Sequence, residues 1–134
     1  MSPVMDLPHH FKRILLHLAR SKEHPEGSAR HGYEIIAPLD AAGRFDLETW
    51  RAHKGQSRVR RFWEGEPDQS GRLVHRSGGH AGVWAFDYDA GRDDDEEAGY
   101  RLGDHVFAPG EYVSVRDDEG VMHTFRVISV NNAA

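Results

Sequence analysis

The run Arg58-Val59-Arg60-Arg61-Phe62-Trp63 sets three guanidinium groups beside two aromatic rings. A guanidinium fork matches the two oxygens of a carboxylate or phosphate, and an indole offers a flat face to a planar ligand. A second stretch, Arg30-His31-Gly32-Tyr33, would lie alongside it if the two segments pair as strands. His31, Arg60, Arg61 and Trp63 are therefore the candidate ligand-binding set, suited to a small anionic ligand. The competing reading is that the acidic run Asp93 to Glu97 neutralises these arginines within the chain.

Histidine is the other chemically capable residue here, with 10 in 134 residues. Imidazole is the commonest metal ligand and titrates near neutrality. Their spacings do not match a metal motif: there is no HxH, HxxxH or HExxH. Gly99-x5-His105-x-Phe107-x3-Glu111 resembles part of the first motif of the cupins, with Phe107 where that motif has a second His. The resemblance covers about a tenth of the chain and implies a divalent metal on His105 and Glu111, with His123 as a third ligand. With Gly-terminated three-residue loops on either side, His105 and Glu111 form a diagonal pair about 7–8 Å apart. His123 stands about 13 Å from Glu111 at the usual strand rise. A buried His–Glu hydrogen bond is the plainer reading, and no cofactor is expected.

Other chemistries lack their residues. With no cysteine, disulfides, thiolate catalysis and Cys-held zinc are excluded. No Gly-x-Ser-x-Gly, Walker loop or dinucleotide fingerprint occurs. Net charge is −5, unevenly spread: residues 1–80 hold 13 Lys and Arg against 10 Asp and Glu, while residues 81–134 hold 4 against 12. Nucleic acid is thereby disfavoured as the main partner. No apolar run approaches the twenty or so residues of a membrane-spanning helix, and no secretory signal is evident. A single cytoplasmic domain is the expectation.

The elements that would position these residues are short and mostly strand-like. The last thirty residues read as a three-stranded meander, 105–130, with turns at Ala108-Pro109-Gly110 and Asp118-Glu119-Gly120. Three-residue loops ending in a left-handed Gly put Asp117 opposite Val121, Val115 opposite His123, Val113 opposite Phe125 and Glu111 opposite Val127. A slip by one residue would mix the apolar and polar sets. One face then holds His105, Phe107, Glu111, Val113, Val115, His123, Phe125 and Val127. The other holds Tyr112, Ser114, Arg116, Thr124, Arg126 and Ile128.

Upstream, segment 11–19 fits a helical stripe (Phe11, Ile14, Leu15, Leu18) and strand alternation (Ile14, Leu16, Leu18) alike; strand is the preferred reading. It would pair with the run Tyr33 to Leu39. Asp40 to Gly43 is a turn, and Asp46 caps a short helix over 47–54. Strands follow at Arg58 to Glu64, at Leu73 to Arg76 after a turn at Asp68 to Gly71, and at Val83 to Tyr88 with Trp84, Phe86 and Tyr88 on one face. Residues 78–82 read as a flexible loop, 89–100 as an acidic mobile loop, and 1–10 and 131–134 as tails.

About eight short strands and one helix make a small all-β domain, an antiparallel barrel or sandwich. Three functions compete: a non-catalytic binding module for a small anionic ligand or protein partner, a cupin-like metal enzyme, and a structural protein whose open strand edge pairs with a second copy as a homodimer.

Overall fold

A computed structural model describes residues 11–53, 55–76, 83–88, 97–99, 105–117 and 119–133. The expected N-terminal tail, the 78–82 loop and most of the acidic loop lie outside them.

Eight strands follow one another around a closed antiparallel barrel: β1 (Phe11–Leu18), β2 (Ser28–Pro38), β3 (Arg58–Trp63), β4 (Glu66–Arg76), β5 (Val83–Tyr88), β6 (Glu97–Gly99), β7 (Tyr112–Arg116) and β8 (Met122–Asn132). Each pairs with the next, and β8 returns to β1. The one helix among the described residues, α1 (Leu47–Ala52), sits in the β2–β3 connection.

Segment 11–18 is a strand because its neighbours complete the alternation. Ile14 stands opposite Ile35 and Leu16 opposite Tyr33, all buried, while Leu15, which a helical stripe would bury, is only half-buried. The same alternation runs round the ring through Val59, Leu73, Phe86, Val113, Val115, Phe125 and Val127, and these side chains fill the interior. A shift in the β1–β8 register between Leu15 and Leu16 leaves Ile128 outside the ladder and exposed, and Val130 resumes the inward face opposite Ile14.

The two barrel ends differ. At one, α1 and the chain around it form a plug: Trp50 packs edge-on against Trp84 at 5.6 Å and donates its indole N–H to the Leu73 carbonyl, and Phe45 stacks on Phe107 at 4.6 Å. Asp46 caps α1 by accepting the Thr49 N–H, as its sequence position predicts. The helix stops at Ala52, two residues short of expectation, where the His53 N–H turns back to the Thr49 and Trp50 carbonyls. At the other end, among the described residues, the β1–β2 loop (19–27), the β3–β4 turn and the β7–β8 turn surround a mouth.

The C-terminal register is as read from sequence. Val115 faces His123, Val113 faces Phe125, and the Asp117 N–H meets the Val121 carbonyl across a loop that ends in left-handed Gly120. The meander itself is a hairpin. Residues 105–107 are not a strand of it, because the Phe107 N–H goes to the Gly43 carbonyl across the plugged end. Gly110 does take the left-handed position and sends its N–H to Val127.

Three further expectations change. The turn placed at 68–71 is a two-residue turn at Glu64-Gly65, with Gly65 at φ 85° and Trp63 opposite Glu66. Gly71 lies inside β4, where a Cβ would come within 2.2 Å of the Asp87 carbonyl oxygen, so its role is close strand approach rather than turning. Glu97 to Gly99, read as loop, form β6 because Phe86 on one side and Val115 and Arg116 on the other offer them ladder partners. Asn131 and Asn132, read as tail, pair with Arg13 and Lys12.

Candidate functional site

The mouth gathers several of the described polar side chains that point along the inner face. β2 and β3 pair so that His31 stands opposite Trp63 and Tyr33 opposite Arg61. The His31 ring meets Trp63 edge-on at 4.5 Å, and His24, from the β1–β2 loop, lies 4.7 Å from His31 on the other side. From across the barrel His123 reaches Trp63 at 5.4 Å, with Phe125 beneath both. The Arg61 guanidinium covers Trp63 at 4.5 Å. Trp63 is thus ringed by two imidazoles and one guanidinium, and the guanidinium lies over the indole as a cation–π partner.

Each of these groups is held by a second one. Arg61 pairs with Glu66 at 3.1 Å, and its side chain is only 12% exposed. Arg30 pairs with Glu64 at 2.6 Å. The His123 Nε2 lies 3.0 Å from the Asp117 Oδ2. Asp117 Oδ1 accepts the Glu119 and Val121 N–H groups. Burial raises the Asp117 pKa, but the Val121 N–H, the His123 ring and the Glu119 N–H outweigh it and hold the carboxyl below its ordinary value.

His31 is buried, and burial first, then the nearby His24 charge, hold its pKa below the ordinary imidazole value. Glu64 and Glu66 oppose that shift, and Arg61 adds to it. The His31 Nδ1 lies 2.7 Å from the Ser28 Oγ, which already accepts the Arg30 N–H. The Ser28 hydroxyl proton then suits Nδ1 of a neutral ring.

A groove of about 350 Å³ opens on this cluster, walled by Leu18, Arg20, His24, Trp63, Met122 and His123 among others. A larger hollow of about 650 Å³ lies on the outer wall between residues 17–20, 26–29 and β8, and holds none of His31, Trp63 or His123.

Of the residues singled out from sequence, His31, Arg61 and Trp63 come together here. Arg60 does not. It projects from the outer wall, where it pairs with Glu34 and with Asp68 at 2.9 Å and covers Phe62. Arg60 and Arg61 are therefore paired with acids of neighbouring strands, and the run Asp93 to Glu96 lies outside the described residues.

His105, Glu111 and His123 are not gathered. Glu111 is exposed at the plugged end of the hairpin, opposite Val127, whereas His123 sits at the mouth. Among the described residues no group of three His, Asp or Glu is placed to hold a metal ion. Sequence reading missed His24, which sits in a polar loop without periodicity, and the bonding of Asp117 to His123, whose spacing of six residues the Gly120 hairpin makes close.

No helix among the described residues is long and apolar enough to cross a membrane. No protein-family model, curated protein or solved structure matches the chain.

Proposed function

We propose that this domain is a binding module that takes a small, flat, anionic ligand at the mouth of the barrel. The carrying observation is the 350 Å³ groove on Trp63, with His24 and His123 in its walls. Its size is that of small-molecule sites, about 300–1,000 Å³, and its lining mixes apolar surface with a few converging polar groups. Leu18, Val121 and Met122 supply the apolar part, and Arg20 supplies a cation at the rim. Trp63 and the imidazoles favour a ring that carries a carboxylate or phosphate over a bare ion.

Calorimetric titration with benzoate, phenyl phosphate and inorganic phosphate tests this reading. An aromatic acid should bind saturably and inorganic phosphate about tenfold more weakly or not at all. Trp63→Ala and Arg20→Ala should each weaken that binding, and Arg60→Ala on the outer wall should leave it unchanged. Absence of saturable binding by every probe, or equal binding by the Trp63 and Arg20 variants, would refute it.

A further inference from the structure

The mouth contains an arrangement that a binding role alone does not require. Two imidazoles, His24 and His31, lie with ring centroids 4.7 Å apart, one on a loop and one on a strand. His31 is held on the β3 side: it stands opposite Trp63 in the ladder, with the Trp63 ring against its own and Ser28 on its Nδ1, while toward β1 it lies in the register break between Gly32 and Ser28. His24 is freer. Its backbone bonds are to Ser21 and Gly27, inside the same loop, and the Ala19 N–H to the Thr124 carbonyl ties the loop's first residue to β8. The same His24 ring is one wall of the groove.

We propose that proton uptake by the His24–His31 pair gates the mouth: with both rings charged, His24 and the 19–27 loop swing off His31 and Trp63 and one wall of the groove opens. Like charges this close repel, and burial strengthens the effect at His31. Among the described residues, the groups facing the pair do not cancel it. From β3, Arg61 adds positive charge, and its counter-ion Glu66 is engaged with it. Glu64, on the β3–β4 turn, is engaged by Arg30 of β2. Across Trp63, the His123 ring is matched by Asp117. Ser28 can donate to Nδ1 only while that nitrogen is unprotonated, so charging His31 also reverses the sense of its hydrogen bond. Glu23, which also lines the groove, travels with the loop.

The gate rests on the groove being the binding site for its purpose, but it is a property of the protein alone and is tested without ligand. Nuclear magnetic resonance can follow the His31 ring and the exchange of the Ala19, Ser21, His24 and Gly27 amides from about pH 7.5 to 5, the range in which imidazoles titrate. After correction for intrinsic exchange, the loop amides should lose about tenfold or more of their protection as His31 titrates, while Tyr33 and Phe125 keep theirs. His24→Gln should abolish the step, and His24→Lys, charged throughout, should show the unprotected loop already at neutral pH. Loop protection that does not change with pH, a step that survives in His24→Gln, or a protected loop in His24→Lys would each overturn the gate. Failure of benzoate and phenyl phosphate to bind would sink the binding reading and leave these outcomes intact.

Discussion

His31 shows how a side chain acquires its chemistry from a register. Alone in Arg30-His31-Gly32-Tyr33 it is one of 10 histidines; paired opposite Trp63 and covered by His24 it becomes a buried, neutral-leaning base. His17 and His75 are likewise held below the ordinary value of 6.5 by burial, with Arg51 adding to the effect at His75. The sign of the consequence follows from linkage. Between the folded and unfolded pKa values the unfolded chain binds more protons, so the stability these rings contribute is full above 6.5 and is lost as pH falls through and below it. Asp117 contributes with the same sign, above 3.8 and lost at more acid pH. Urea midpoints should therefore drop between about pH 7.5 and 5.5, where ordinary carboxylates scarcely titrate. The drop should be smaller in His75→Gln; a midpoint that rises on acidification would contradict these shifts. Part of this site was legible in sequence, since Trp63 and His31 fall together once their strands pair. Strand alternation alone separates Arg60 from this set, because it puts Arg60 on the face opposite Arg61 and Trp63.

At the scale of elements, turns and close approaches decide what the pattern leaves open. α1 was readable because Asp46 followed by Leu47 and Trp50 is both a cap and an apolar side; Asp46→Ala should cost about 0.5–2 kcal/mol in urea unfolding. The length of β4 is hidden in the sequence because Gly71 looks like a turn residue. Its true constraint comes from β5, whose backbone leaves no room for a Cβ, and that constraint is invisible locally. Gly32 is similar: a Cβ there would lie 1.9 Å from the Leu16 carbonyl oxygen. Gly32→Ala and Gly71→Ala should each destabilise by about 1–3 kcal/mol, as overpacking does. Gly65→Ala, at a positive φ but with nothing near its Cβ, should cost less, through backbone strain alone. If all three cost the same, close approach is not what selects glycine at 32 and 71. β6 was missed for a related reason. Its sequence is the end of an acidic run, and only the ladders on either side make it a strand.

For the whole molecule the decisive contact is the one between β1 and β8, segments more than a hundred residues apart. Alternation within each strand announced an all-β domain, but no local signal tells that the first strand meets the last. Leu16 is where the closure is most concentrated: fully buried, it stands opposite Tyr33 on β2 and Val127 on β8. Leu16→Ala removes methyl groups from a site that strands fix on both sides, so the gap can collapse little. The expected cost is about 2–5 kcal/mol, a large share of the about 5–15 kcal/mol that holds a domain of this size. Because the ring is continuous, the loss should not stay local. Amides of β2, β8 and β3 should lose hydrogen-exchange protection by the same free energy, since all would open in one global event. Val130→Ala, at a half-buried position near the end of the same seam, gives a milder version if the first variant does not fold. Should the β7–β8 hairpin lose protection while β2–β3 keeps it, β8 opens independently and the barrel is not one cooperative unit. The mouth would then owe the position of His123 to a hairpin that can leave, and the His31–Trp63 pair alone would be anchored.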